Sequence, residues 1–131
     1  MPDVTLTNSE WYVLDCLWEH SPLTVMELVE RLSQKVGWAK STTITTLRRM
    51  EEKGLVHCEV TGRTRHYRPS VERRQAVRRE TRSFLNKVYR GSVGLMVSAM
   101  AQDKALTRKE IDELYEICLL YTSDAADELD G

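Results

Sequence analysis

The side chains in this sequence whose type and spacing point to a chemistry are short hydroxyls and cations. Residues 40–50 read Lys-Ser-Thr-Thr-Ile-Thr-Thr-Leu-Arg-Arg-Met. At about 100° per residue, Ile44, Leu47, Met50 and Glu51 share one face, with Thr43 and Lys40 at its edges. The opposite face carries Ser41, Thr42, Thr45, Thr46 and Arg49. Four Thr within residues 42–46 are a poor way to build a solvated helix face, because the branched side chain loses rotamer freedom in a helix. The same set suits a helix laid in a DNA groove, where Ser and Thr reach base edges or phosphates and Arg reaches guanine. The bland alternative is a Thr-rich surface helix with no partner. A second set of cations, Arg63, Arg65 and Arg68, follows within twenty residues of Arg49.

Charge distribution favours the nucleic-acid reading. The chain's net charge is −1, but residues 1–37 hold two basic and six acidic side chains, residues 38–90 fourteen and five, and residues 91–131 three and nine. A basic middle beginning at the candidate helix is an electrostatic footprint for a polyanion. A merely solvated face mixes both signs as i,i+4 pairs, and that mixing fails here. No Gly-rich phosphate loop or nucleophile motif is present, so an enzyme is not expected. His20, His57 and His66 have no ligand spacing, so neither metal nor cofactor is expected. Cys16, Cys58 and Cys118 form no CxxC pair and are odd in number, which fits a reducing, cytoplasmic setting. No apolar run approaches the ~18 residues needed to span a bilayer, so no membrane partner is expected.

The elements that must hold these residues follow from periodicity and punctuation. Thr7 with Glu10 and Thr24 with Glu27 are capping boxes that open two short helices. Trp11, Leu14, Leu17 and Trp18 form the stripe of the first, and Val25, Leu28, Val29 and Leu32 that of the second. Gly37 precedes the hydroxyl-rich third helix and Gly54 stops it. Residues 55–60 and 64–69 are β-prone runs about a Gly62-containing turn, a hairpin placed as the wing of a winged helix. From Ser70 the period is helical again, with Val77, Thr81, Phe84, Leu85 and Val88 as a narrow seam. Residues 93–101 and 109–117 follow as further short helices, the latter behind a third capping box, Thr107 with Glu110. These segments carry more apolar surface than they can cover, which argues for dimerisation through Phe84, Leu85, Val88, Leu95, Ile111 and Leu114. Packing back onto the winged helix in a monomer is the alternative. The expected class is mainly α: a winged helix-turn-helix domain of three helices and a β-hairpin over 1–69, then a helical dimerisation domain over 70–117.

With these motifs in place, the chain resembles the penicillinase-repressor family, which includes methicillin-resistance and copper-responsive repressors. The matching stretches are residues 6–18 (LTNSEWYVLDCLW), 21–27 (SPLTVME), 38–56 (WAKSTTITTLRRMEEKGLV), 62–69 (GRTRHYRP), 83–88 (SFLNKV), Gly91-Ser92 and 106–114 (LTRKEIDEL). The resemblance implies a homodimer that represses transcription by occupying a palindromic operator in double-stranded DNA. It places the recognition helix on Lys40–Lys53 and the wing on Gly62, Arg63 and Arg65. The residues expected at DNA are therefore Lys40, Ser41, Thr42, Thr45, Thr46, Arg49, Arg63 and Arg65. A Trp precedes this helix in the family; burial is expected of Trp38 ahead of a phosphate contact.

Three features depart from the family's pattern. Members induced by β-lactam signalling are cut by an inducing protease at an Asn-Phe bond, whereas Ala99-Met100 stands at the corresponding place and no Asn-Phe dipeptide occurs. Copper-responsive members carry Cys-x-Cys motifs, and none occurs here. From Cys118 the sequence reads CLLYTSDAADE, which resembles the translation of a transposase sequencing adaptor, so residues 118–131 are expected to be a non-native tail. The competing function is a winged helix used as a protein-interaction module. Such a module does not need a basic block across its third helix, wing and following helix.

Overall fold

Two of the first three helices begin where a hydroxyl meets a glutamate three residues on. In the computed structural model, which describes residues 6–130 and side chains as far as residue 121, α1 spans Asn8–Glu19 and α2 Val25–Val36. The Glu10 amide donates to Thr7 Oγ1 at 3.1 Å and the Thr7 amide to Glu10 Oε1 at 2.9 Å. Thr24 and Glu27 repeat the exchange at 3.2 and 2.9 Å. Each box satisfies two of the amides that a helix start leaves without an internal partner. The left-handed Gly37 ends α2, and α3 follows over Lys40–Lys53.

β2 (Val56–Thr61) and β3 (Thr64–Pro69) form the antiparallel hairpin, with Cys58 opposite Tyr67 and Val60 opposite Arg65. Gly62, first of the two loop residues, sits at φ 65°, where a side chain is disfavoured. The sheet has a third strand that periodicity does not reveal. β1 is only Leu23–Thr24 and pairs with β3 through Leu23 opposite Tyr67, giving the order β1-β3-β2. Two residues beside a proline carry no alternation to read, and the pairing is made by a strand over forty residues away.

The core joins all of these elements. Val13, Leu14, Cys16 and Leu17 of α1 pack with Leu23, Leu28, Leu32, Leu47, Met50, Leu55, Val56 and Tyr67. Each fully buried Val or Leu contributes about 1.5–3 kcal/mol relative to exposure. Trp18 packs at the margin of this core, edge-on to Trp11, and its indole N–H donates to the Val71 carbonyl at 2.9 Å.

The chain divides into two compact units, Met1–Phe84 and Leu85–Gly131. The first unit reaches beyond the hairpin because the start of α4 (Arg73–Tyr89) is tied to the segment ahead of α1: Ala76 is buried, and Glu80 accepts the Leu6 amide at 2.7 Å. In the second unit, α5 (Val93–Gln102) is capped by Ser92, and α6 (Arg108–Asp130) opens on the Thr107–Glu110 capping box. The helix of α6 outruns the 109–117 expected from periodicity because neither Gly nor Pro interrupts 108–130. No residue of α5 is buried. Among the described residues, no helix is long and apolar enough to cross a membrane.

Candidate nucleic-acid interface

α3 is fixed from its inner side. Thr43, Leu47 and Met50 are buried, and Gly54, left-handed at φ 80°, closes the helix so that the Leu55 amide can bond the Met50 carbonyl at 2.9 Å. Lys53, in the last turn, donates to Glu10 Oε2 while Glu10 Oε1 is held by the Thr7 amide. One capping carboxylate thus ties the start of α1 to the end of α3. Burial alone would raise the Glu10 pKa, but the hydrogen bonds from Lys53 and the Thr7 amide outweigh it and hold the carboxyl below its ordinary value.

A folded-state pKa below the unfolded one gives stability that is present above the ordinary carboxylate range and is lost as pH falls through the depressed value. Glu10→Gln is therefore expected to lower stability by about 1–3 kcal/mol at neutral pH. The gap from the parent should narrow once the medium drops below about pH 4.5. Thermal melts of both proteins across that range check this; a gap independent of pH would show that Glu10 acts only by shape.

The buried stripe of α3 is centred on Thr43, Leu47 and Met50, rotated from the Ile44–Leu47–Met50–Glu51 face expected from periodicity. Ile44 is half-buried and Glu51 is exposed. Thr43 mimics Val in shape, and its hydroxyl has no hydrogen-bond partner, which is why a scale that counts Thr as polar misses it. On the solvent side lie Lys40, Ser41, Thr42, Thr45 and Arg49, all exposed, and the rotation brings Arg48 among them. Thr46 sits at the flank, half-buried, and its hydroxyl donates to the Thr42 carbonyl at 2.7 Å. Its oxygen keeps acceptor capacity, but its proton is committed to the helix. Ala39 at the N-cap offers no side-chain acceptor to the first-turn amides. Trp38 is half-buried against the core and edge-on to Tyr12, with ring centroids 6.1 Å apart.

Strand alternation sorts the wing cations. Arg65 shares a face with Tyr67 and Val60, whereas Arg68 lies on the other face, where its Nε meets Glu59 Oε1 at 3.2 Å. On that outer face His57 Nδ1 lies 3.1 Å from Ser70 Oγ, beside the same glutamate. Burial pushes the Tyr67 hydroxyl up, and hydrogen bonding from Arg65 pulls the other way. Arg63 stands at the turn. Among the described residues, Lys40, Arg48, Arg49, Arg63 and Arg65 have no ion-pair partner, whereas Lys53 and Arg68 do. Five unneutralised cations with hydroxyls between those of α3 can bind phosphates and donate to base edges. Among the same residues, no group of three His, Cys, Asp or Glu converges on a metal-sized site.

The apolar residues expected at an interface between copies fall on α4, α5 and α6. Phe84, Val88, Leu95 and Ile111 are exposed, Phe84 at 52% and Ile111 at 45%, while Leu85 and Leu114 are half-buried. Ala99-Met100 lies within α5.

Known proteins resemble this chain in sequence and in fold. A family model described as penicillinase repressor matches residues 6–119. The penicillinase repressor of Bacillus licheniformis is 30% identical over 112 residues, covering 86% of this chain and 88% of that protein. The methicillin resistance regulatory protein MecI of Staphylococcus aureus (strain N315) is 24% identical over 112 residues, covering 86% and 91%. Among solved structures, the monomeric form of Bacillus licheniformis BlaI in complex with the blaP half-operator superposes with a TM-score of 0.50 at 26% identity, over 55% of this chain and 88% of that one.

Proposed function

The chain belongs to the penicillinase repressor family and is a DNA-binding transcriptional repressor of that type, and from this premise we propose that it acts as a homodimer on a palindromic operator. In this reading α3 enters the major groove. Ser41, Thr42, Thr45 and Arg49 meet base edges there, Thr46 accepts at the flank, and Lys40 reaches a phosphate beside the uncapped helix start. Arg63 and Arg65 carry the wing against the backbone. The observation that carries the reading is the solvent face of α3 and the wing, where Lys40, Arg48, Arg49, Arg63 and Arg65 stand among hydroxyls without an acidic partner among the described residues. A second copy supplies the second half-site, and twofold symmetry of the protein mirrors that of the operator. Helices α4–α6 supply the interface through Phe84, Leu85, Val88, Leu95, Ile111 and Leu114. Ala99-Met100 stands where β-lactam-induced members carry the Asn-Phe bond, so an inducing protease, if it is a partner, would have to cut a different dipeptide.

The test is a mobility-shift titration on duplex DNA over a range of salt. If each dimer neutralises ~6–10 phosphates, log K falls with log salt at about −0.9 per phosphate. A protein that ignores duplexes of every sequence would overturn the reading.

A further inference from the structure

The roll of α3 brings an acid as well as cations to its front. At about 100° per residue, the line opposite the buried Thr43, Leu47 and Met50 passes within about 30° of Ser41, Thr45 and Glu52, and Arg48 and Arg49 stand about 50° to either side of it. All five are exposed. Glu10 and Glu59 take Lys53 and Arg68, but Glu52 has no ion-pair partner among the described residues. Arg48, one turn earlier on the same helix, is equally unpaired.

A carboxylate at the centre of a face offered to a polyanion is repelled by every phosphate, whatever the sequence. Base edges are more selective. An ionised carboxylate only accepts hydrogen bonds. Guanine presents two acceptors in the major groove, N7 and O6, and thymine presents the O4 acceptor beside a methyl, so neither can satisfy it. Cytosine presents its N4 amino donor, and adenine presents N6 with the N7 acceptor next to it. A glutamate at base-edge depth therefore favours cytosine. A guanidinium has the converse preference, guanine N7 and O6. Arg48 and Glu52 are about 6 Å apart along the helix axis, close to two base-pair steps of about 3.4 Å.

We propose that Glu52 is a specificity-determining residue that accepts a hydrogen bond from a cytosine N4 amino group, and that Arg48 takes a guanine within about two base pairs of it. The proposal rests on the reading above that α3 enters the major groove. Glu52 lowers affinity for duplex DNA in general and returns that loss only where a cytosine meets it, so it acts through discrimination rather than through tight binding.

The experiment enriches duplexes from a pool with a randomised centre on the full chain. Dissociation constants are then measured on the enriched duplex, on its single base-pair replacements and on random duplex. The parent is expected to require a cytosine in each half-site, with a guanine within about two base pairs. Glu52→Gln should lose at least about tenfold of the discrimination for cytosine and move the preference at that pair to adenine, because a carboxamide matches adenine N6 and N7 together. It should also bind random duplex more tightly than the parent, by a margin that shrinks as salt rises. Arg48→Ala should relax the guanine pair by about tenfold and leave the cytosine preference in place. Both side chains are exposed, so the thermal melts of these variants should coincide with the parent's. If Glu52→Gln keeps the parent's base preference, or weakens every duplex alike, the assignment of Glu52 is overturned while the groove reading stands. If Arg48→Ala leaves the guanine preference unchanged, the assignment of Arg48 is overturned. A parent chain that enriches no sequence would remove the groove reading and this one together.

Discussion

Phe84→Asp is expected to convert the protein to a monomer in light scattering and to lower its affinity for a two-half-site operator by about 10²–10⁴-fold. The size of the effect comes from linkage. Once one recognition helix is seated, the second is held near its own half-site at high effective concentration, and a monomer forfeits that gain without losing a single DNA contact. Phe84 is the large aromatic of the α4 strip and is 52% exposed in the single chain, so burial against a partner would remove much apolar area from water. A carboxylate there would have to be desolvated on burial against the partner. Binding to an isolated half-site should change little, and this separates loss of the dimer from loss of the fold. A Phe84→Asp protein that stays dimeric would remove Phe84 from the interface and move the contact toward α5 and α6.

Local rules made much of this structure readable. A hydroxyl and a glutamate three residues apart act on adjacent backbone, so the starts of α1 and α2 could be read from four letters each. The two-residue turn at Gly62 is equally local, and it sets the register of the whole hairpin. What escaped the sequence depends on partners distant along the chain. β1 exists only because Tyr67 and His66 lie beside it. The exact roll of α3 depends on what packs beneath it. Its core side accepts Thr43 as though it were Val, which turns Glu51 outward and brings Arg48 onto the solvent face. The sorting of cations is also tertiary: Lys53 and Arg68 look like their neighbours in sequence, yet Glu10 and Glu59 take them. No periodicity distinguishes a cation facing DNA from one facing a carboxylate forty residues away.

That sorting sharpens what Arg49 and Arg63 should each do. Both are exposed and neither has an acidic partner among the described residues, but they sit on different elements with different access to bases. Arg49 projects from the middle of α3, among hydroxyls, where a guanidinium in the major groove can take guanine O6 and N7 together. Arg49→Ala is expected to lose about 1–3 kcal/mol on the operator and far less on random duplex, so that the ratio between them collapses. Arg63 stands at a hairpin tip, and the proposed reading sets it against the sugar-phosphate backbone, which is alike in every sequence. Arg63→Ala should weaken operator and random DNA by the same factor and make the salt slope shallower by about 0.9 per lost contact. Arg68→Ala serves as the internal reference: its guanidinium is already spent on Glu59, so it should move DNA affinity least of the three. Titrations of the three variants on both duplexes at several salt concentrations decide the matter. If Arg49→Ala falls equally on both, the residue touches phosphate and base reading passes to the hydroxyls or to Arg48. If Arg63→Ala is the base-selective one, the wing rather than α3 carries the specificity.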